Sequence, residues 1–511
     1  MLWSLITYIK MLTSDTKFKK RTCFIISILS EILAIESKEI AVLLPFLIFM
    51  VHISFYRNYK KAAVNCLIFL IITLIVPISI YLKAPGTLGE LGIIRDTTPV
   101  ETTVLNTTSP KYYLFTQFRV IVTYIRLLLL PINQKLIYNY HFYTSFFNVH
   151  VFSSFLFLLS VILFGIYIYF LSYKEGKQIF RLSSLGIYWF FVFLSLTSTF
   201  IPFNDLIAEH WIYFSSIGFM LFVVTIITTI AEKNGKFAAK AVLTGLILLI
   251  ITLSMVSYKR NSVWQSEISL WKDVISKNPE SAKGHFTLGL SYLNHGDYDY
   301  AIEEFENTIK LNTKSKALFQ TLEQFYLYLG ISYRKKASYE KAVEVFKKVI
   351  SLSNSSSSNN RDTLIDAYNE LGCTYLDMNN YDMALEQFTK AMKLNNNIKK
   401  THVNLGNLFI KTNNIDKAIS EFLFVASNNP DDLQVHFILG LLFKENKLYD
   451  KAIMEFIKNI ELNRNHIESY IEIASVYIIL KQNQLARPYV LKALSINPSN
   501  SEAQYLMRQL N

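Results

Sequence analysis

Residues 371–430 read LGCTYLDMNN YDMALEQFTK AMKLNNNIKK THVNLGNLFI KTNNIDKAIS EFLFVASNNP. One pattern occurs twice in this stretch. A Gly is followed by an aromatic residue at the third position, Ala at the twelfth and Phe at the sixteenth. The two sets are Gly372, Tyr375, Ala384, Phe388 and Gly406, Phe409, Ala418, Phe422. Upstream the pattern recurs as Gly289, Tyr292, Ala301, Phe305 and as Gly330, Tyr333, Ala342, Phe346. Downstream it recurs as Gly440, Phe443, Ala452, Phe456 and, altered, as Ala474, Tyr477, Ala486, Val490. The steps from 372 to 406, 406 to 440 and 440 to 474 are each 34 residues, whereas 289 to 330 is 41 and 330 to 372 is 42. Two insertions therefore interrupt an otherwise fixed period. Such a period marks units that bury their apolar faces only against one another.

A period of 34 with this spacing resembles the tetratricopeptide repeat, in which each unit is a pair of helices. Six units are expected, over 282–315, 323–356, 365–398, 399–432, 433–466 and 467–500, with 501–511 as a capping tail. The small residue of the first helix lets the second approach, and the aromatics fill the gaps. The tract SLSNSSSSNN (351–360) reads as a flexible polar insertion. Stacked pairs form a solenoid with a concave face. Register places Phe286, Leu290, Leu327, Ile331 and Asn369 on that face in the first three units. Val403, Asn407, Phe437, Leu441 and Ile471 follow in the last three. A face of apolar and amide side chains with balanced charge suits an extended peptide or an amphipathic helix, so the expected partner is a protein or peptide.

The first half has a different composition. The whole chain of 511 residues carries 51 Lys+Arg, 39 Asp+Glu and only 18% charged residues, with 51% hydrophobic. Mean hydropathy is +0.27. Residues 258–511 hold 30 basic and 28 acidic side chains, which leaves 21 and 11 for residues 1–257. Few charges, mostly positive and clustered between apolar runs, are the mark of a membrane domain with basic loops, and no nucleic-acid partner is expected. The cysteines Cys23, Cys66 and Cys373 are too scattered for a disulfide framework or a metal site.

Bilayer-length apolar runs occur at 40–56, 62–82, 151–173, 183–203, 211–231 and 241–257. A shorter one, 22–35, contains Glu31. Residues 1–12 lack the basic start and cleavage site of a signal peptide. They read either as the tail of a further span, with an N-terminal portion expected before it, or as a short interfacial helix. The segment 114–131 is apolar but carries Arg119 and Arg126. If it spans, the basic loop 174–181 falls outside and the acidic loop 205–209 inside, against the positive-inside bias. If it lies in the interface, the bias is restored, and everything after 257 becomes extracytoplasmic. The fold class is therefore all-α: a polytopic transmembrane helical domain over 1–257, a connecting helix over 258–281, and a repeat solenoid. Trp264 and Trp271, seven residues apart, are expected to share a helix face at this junction.

No phosphate loop and no HExxH or CxxC motif occurs. Ionisable residues at membrane depth are costly and mark function. They fall at Glu36–Glu39, at Arg119 and Arg126, at Tyr138–His141 and in the stretch DLIAEHW from Asp205 to Trp211. The stretches SKEIAVLLP (37–45), YIRL (124–127), AEHWIY (208–213), SIGF (216–219) and RNSVW (260–264), followed by the repeats, resemble the TMTC-type O-mannosyltransferases and their bacterial relatives. The resemblance implies a GT-C-like membrane fold, a polyprenyl-phosphate sugar donor and transfer on the extracytoplasmic side; apart from it, a carboxylate such as Glu209 is a candidate ligand for a divalent cation as a further cofactor. The resemblance also implies an acidic catalytic motif in a first extracytoplasmic loop, and no Asp-Asp or Asp-Glu pair stands near the start of this sequence. The carboxylates on offer as catalytic groups are Glu39, Asp205 and Glu209, and Asn139 stands where relatives carry an acidic residue. Lys38, Arg126 and His210 are the residues expected to bind the lipid phosphate. No dedicated metal site is expected. Two functions stay open: a membrane protein that presents an extracytoplasmic interaction solenoid related to protein glycosylation, and an active protein O-glycosyltransferase that transfers mannose to Ser or Thr.

Overall fold

The computed structural model describes residues 1–37, 39–56, 59–83, 109–138, 140–198, 206–312, 322–355 and 361–510. The chain divides into two compact units, one from Met1 to Gly284 and one that begins at His285. Both are helical, and no strand occurs among the described residues.

The first unit contains α1 (Leu2–Thr13), α2 (Lys17–Ser37), a 3-10 turn (Glu39–Leu43), α3 (Leu44–Tyr56), α4 (Tyr59–Lys83), α5 (Pro110–Leu129), α6 (Val149–Glu175) and α7 (Gln178–Leu194). A second 3-10 turn (Glu209–Ile212) leads into α8 (Tyr213–Lys233), followed by α9 (Gly235–Asn261), a third 3-10 turn (Ser262–Gln265) and α10 (Glu267–Lys277). Among the described residues three stretches are long and apolar enough to cross a membrane: Val149–Glu175, Glu209–Lys233 and Gly235–Gln265. The apolar runs read at 40–56 and 183–203 appear as shorter helices, Ala41–Tyr56 and Gln178–Leu194. The run read at 62–82 falls partly on side chains outside the described residues.

Polar pairs join the packed helices where the environment is apolar and an unpaired group would be costly. Ser4 Oγ donates to the Ser27 carbonyl at 2.7 Å, and Ser27 Oγ donates back to the Ser4 carbonyl at 2.8 Å, which fastens α1 to α2. Thr73 Oγ1 donates to buried Glu31 at 2.9 Å, and Asn65 Nδ2 donates to Tyr8 Oη at 2.7 Å. α7 and α8 cross at Gly186 and Gly218, where backbone meets backbone. A Cβ on Gly186 would lie 2.6 Å from the Gly218 carbonyl oxygen.

The segment expected as one connecting helix, 258–281, is the end of α9, a 3-10 turn and α10. Trp264 sits in the turn and Trp271 in α10, so the two do not share a helix face. Ser266 explains the break: its hydroxyl accepts from Ser269 N at 3.1 Å as the N-cap of α10, and its backbone is extended, with φ −146° and ψ 155°.

In the second unit each repeat is a helix pair: α11 (Ala282–His295) with α12 (Tyr298–Asn312), α13 (Leu322–Lys335) with α14 (Tyr339–Ser355), and α15 (Arg361–Asp377) with α16 (Tyr381–Leu394). Then come α17 (Lys399–Lys411) with α18 (Ile415–Asn428), α19 (Leu433–Glu445) with α20 (Tyr449–Leu462), and α21 (Ile467–Ile479) with α22 (Asn483–Ile496). α23 (Ser501–Gln509) follows, and its Ala503 and Leu506 are buried with Ala474, Ala486, Val490 and Ala493 of the last repeat.

The signature glycines make room for an aromatic ring. A Cβ on Gly440 would lie 2.4 Å from Phe456 Cε1, and the same clash recurs at Gly330, Gly372, Gly406 and Gly289. Each ring is the Phe sixteen residues on and is fully buried. The turn between the two helices is also periodic. Seven residues after the signature position, Gly296, Ala337, Asn379, Asn413, Lys447 and Lys481 all have φ between 57° and 85°. Only the first is Gly. The next residue donates back to the first helix in every repeat, as in Asn380 N to the Tyr375 carbonyl at 2.8 Å and Leu448 N to the Phe443 carbonyl at 2.8 Å. These backbone bonds satisfy helix-end carbonyls and hold the left-handed residue in place.

Candidate functional site

In the first unit polar side chains converge on a cavity of about 560 Å³. It is lined by Arg119, Val122, Thr123 and Arg126 of α5 and by Asn133, Lys135, Tyr138, Tyr140, His141 and Tyr143 of the segment after Pro131. Arg119 and Arg126 are two turns apart and share a face of α5. A different face of that helix, with Tyr113, Val120, Tyr124 and Leu127, is buried. Tyr124 Oη accepts from Ala208 N at 3.0 Å, and Gln117 Nε2 donates to the Leu206 carbonyl at 3.0 Å. α5 is thereby tied to the segment that carries Glu209. The polar loop is held to α5 by Tyr140 Oη with Thr123 Oγ1 at 2.9 Å and by Tyr143 N donating to Thr116 Oγ1 at 3.0 Å.

Glu209 anchors the other side of the loop. Its Oε1 accepts from Tyr138 Oη at 2.5 Å and from Lys135 N at 2.8 Å. Burial, and then the Glu209 carboxylate, hold the Tyr138 phenol well above its ordinary range. Burial also raises Tyr140, while Arg119 and Arg126 pull it in the opposite direction, so both guanidinium charges are felt at the loop. The loop is clamped a third time: Lys135 Nζ donates to the Lys277 carbonyl at 3.1 Å, and Lys277 Nζ donates to the Gln134 carbonyl at 2.8 Å. Asp273 pairs with Lys277 at 2.8 Å and with Arg260 at 2.5 Å. Burial opposes ionisation of Asp273, but the two cations outweigh it and hold the carboxyl below its usual range.

Among the described residues the lining contains two guanidinium groups, an ammonium and three phenols, and no carboxylate. Among the described residues neither Arg119 nor Arg126 has an ion-pair partner. This donor set fits an anion, and the planar fork of arginine fits a phosphate. It does not fit a divalent cation, which needs oxygen ligands of opposite charge. Among the described residues no group of three His, Cys, Asp or Glu gathers as a metal site.

Of the residues expected to hold a lipid phosphate, Arg126 lines the cavity. His210 is exposed, lies edge-on to Trp211 with ring centroids 5.9 Å apart, and is absent from the lining. Lys38, Asp205 and Asn139 lie outside the described residues, as does the Glu39 side chain. Glu209 supports the loop through Tyr138. Asn133 and Lys135 were not singled out from sequence. Their signal is the polar run NQK (133–135), one residue after Pro131, in a chain with two arginines at one helical spacing just before it.

The repeat groove sorts into two sets. Phe286, Leu327, Asn369 and Ile471 are buried in the packing between helices. Phe286 meets Phe305 and Phe325 at 5.7 and 5.2 Å between ring centroids. Asn369 Nδ2 donates to Thr401 Oγ1 at 3.0 Å, and Asn369 Oδ1 accepts from Asn404 Nδ2 at 3.3 Å, so this amide joins one repeat to the next. These four belong to the core, because a closed packing contact has no free surface for a ligand. Leu290, Ile331, Val403, Asn407, Phe437 and Leu441 stay partly or fully exposed. Charges between them are matched within the array. Arg334 pairs with Glu370 at 3.1 Å and Asp377 at 3.0 Å, Lys400 with Glu370 at 3.0 Å and Asp366 at 3.1 Å, and Lys444 with Glu472 at 2.6 Å. Burial, and then the Glu370 carboxylate, push the Cys373 thiol up to about 12, which keeps it from acting as a thiolate.

Tetratricopeptide repeat family models match residues 282–315, 321–397, 403–461 and 467–500. Among characterised proteins the chain is similar to protein O-mannosyl-transferase F38B6.6 of Caenorhabditis elegans, at 31% identity over 155 residues, which is 30% of this chain and 21% of that protein. It is similar to protein O-mannosyl-transferase Tmtc3 of Drosophila melanogaster at 24% over 121 residues, 24% of this chain and 13% of that protein. The mouse protein O-mannosyl-transferase TMTC1 matches at 22% over 132 residues, 26% of this chain and 14% of that protein. These matches lie in the repeat region, and the chain spans about a fifth or less of the length of these relatives. Among solved structures, YrrB, described as a TPR protein with an unusual peptide-binding site, is 19% identical with a TM-score of 0.33 and covers 41% of this chain and 100% of its own. MamA is 24% identical with a TM-score of 0.29, over 35% of this chain and 93% of its own.

Proposed function

We propose that this chain is a multi-pass integral membrane protein that displays its repeat array outside the cytoplasm as a docking surface for a protein or peptide, in the service of protein glycosylation. One observation carries the reading: a unit with three membrane-length apolar helices among its described residues is joined in one chain to a repeat array, part of which is similar to O-mannosyl-transferases. The excess of basic residues in the first unit supports the orientation, since basic loops stay on the cytoplasmic side. Leu290, Ile331, Val403, Asn407, Phe437 and Leu441 are the side chains offered to a partner. Because the neighbouring charges are already paired, that partner is bound through apolar contacts and amide hydrogen bonds, not through charge.

The orientation is tested on intact cells. A cysteine placed at exposed Met454, in a chain lacking the three native cysteines, should react with a membrane-impermeant maleimide without permeabilisation. Labelling only after permeabilisation would reverse the orientation.

A second reading, an O-mannosyltransferase fed by a polyprenyl-phosphate sugar, is favoured by the cationic cavity. In that reading Arg119 and Arg126 hold the phosphate, and Glu209 keeps Tyr138 and the loop in position. Arg126→Ala should weaken binding of a short-chain polyprenyl phosphate to the detergent-solubilised full chain by about tenfold or more, the worth of one charge-assisted hydrogen bond. Arg126→Lys should rescue it only partly, because an ammonium cannot copy the fork. Equal binding by all three proteins would leave Arg126 as a snorkelling interface residue.

A further inference from the structure

We infer that α5 lies in the plane of the bilayer surface, anchored at one end by a phenylalanine cluster and at the other by the turn after Pro131, so that the cationic cavity sits at the level of the lipid headgroups. The inference rests on the membrane reading above and adds to it the lipid interface as the occupant of this face.

The anchor at the start of α5 is built from rings. Phe146 meets Phe115 of α5 at 5.6 Å between centroids, Phe155 of α6 at 5.3 Å and Phe147 at 5.5 Å. The cluster is not closed over: Phe147 is 81% exposed and Val149, two residues on, 78%. An exposed apolar patch of this kind is favoured at the boundary of a membrane, where interfacial helices bury Phe and Leu. Val149 is also the first residue of α6, one of the membrane-length helices, so the patch continues directly into a span. At the far end of α5, Leu130 and Ile132 are 59% and 60% exposed.

Between the ends, positions 115, 118, 122, 125 and 129 of α5 are apolar and separated by three, four, three and four residues; Phe118, Val122 and Ile125 of this stripe are half-buried against the core of the unit, and Leu129 at its end is 60% exposed. Arg119 and Arg126 run beside that stripe. An apolar stripe bordered by arginines is the pattern of a helix that lies in the interface, with its cations at the phosphates. Among the described residues of the cavity lining, Arg119, Arg126 and Lys135 complement the negative potential of anionic lipid.

The geometry gives a measurable distinction. If α5 lies flat, its two ends share one depth. If it stands across the bilayer, positions 115 and 129 differ in depth by about 20 Å at about 1.5 Å per residue. Single cysteines at Phe147, Ile132 and Leu248 would be placed in the full chain with Cys23, Cys66 and Cys373 replaced. Each is labelled with a nitroxide in vesicles of phosphatidylcholine and phosphatidylglycerol, and collisions with oxygen and with a water-soluble nickel chelate report its depth. The expected result is that Phe147 and Ile132 lie together near the headgroups and Leu248, in α9, lies deep. A deep Leu248 label with the other two in water, or at opposite depths, overturns the inference and leaves the membrane reading standing. A Leu248 label in water overturns both. The unmodified chain supplies a check free of substitutions: a phospholipid with a diazirine near its headgroup should label the peptides containing Leu130 and Phe147. Label confined to α6, α8 and α9 would count against the inference.

Discussion

Gly218→Ala is expected to unfold the packing of α7 on α8. The added Cβ would lie 2.5 Å from the Gly186 carbonyl oxygen and 2.8 Å from Phe190 N. Both are backbone atoms inside helices, so no side chain can swing away. The helices can only separate, and separation breaks the Ser183 Oγ to Thr225 Oγ1 bond at 2.6 Å and the Trp189 Nε1 to Phe214 carbonyl bond at 2.9 Å. Close approach through small residues with hydrogen bonds across the crossing is the main attraction available between helices in lipid. Overpacking costs about 1–3 kcal/mol and more where backbone must move. The cost here should be at or above the top of that range. Thermal unfolding of the detergent-solubilised chain should show the first transition lowered or lost, and Gly186→Ala should act alike, because its Cβ meets the Gly218 carbonyl oxygen at 2.6 Å. An unshifted transition for both variants would mean that the crossing is not tight.

Gly440→Ala should destabilise the repeat array by about 1–3 kcal/mol, and Phe456→Val in the same chain should recover a good part of that loss. The Ala Cβ would lie 2.4 Å from Phe456 Cε1, in a ring that is fully buried between helices. The last repeat contains the compensated pair: Ala474 replaces the glycine and Val490 the phenylalanine, and both are fully buried. Volume moved from the ring to the small residue keeps the packing filled. Phe456→Val alone should be destabilising, since it removes the ring and leaves a cavity. Chemical denaturation of the single and double variants measures the coupling. A double variant as unstable as the sum of the singles would show that the two positions do not share one space.

The positions most legible from sequence were those repeated six times. Ala418, Phe422, Ala452 and Phe456 are read from their period and are all fully buried, because a solenoid must present one packing surface to every neighbour. The groove was harder to read. Spacing along a helix assigns a face, but Asn369 and Ile331 share a nominal face while the first is buried and the second is not. The difference comes from a neighbouring repeat, since Thr401 and Asn404 reach over to Asn369. In the first unit Arg119 and Arg126 could be paired by their spacing, but the loop residues Asn133 and Lys135 could not be placed against them.

The sequence by itself determined the repeat period, the helix pairs and the division into an apolar first half and a charged second half, because periodicity and composition are local properties that any folding of these residues must respect. Only the tertiary structure decided which residues meet across that order. It set Glu209 beside Tyr138 from 71 residues away, brought Gly186 and Gly218 to backbone contact, and imposed left-handed backbone on Ala337, Lys447 and Lys481, whose side chains do not favour it. The physical reason is the same in each case. The Glu209–Tyr138 hydrogen bond and the helix crossing are satisfied by partners far along the chain, and each helix-end turn by a backbone bond five residues back; in every case the free energy of the contact outweighs the local preference of the residue that must comply.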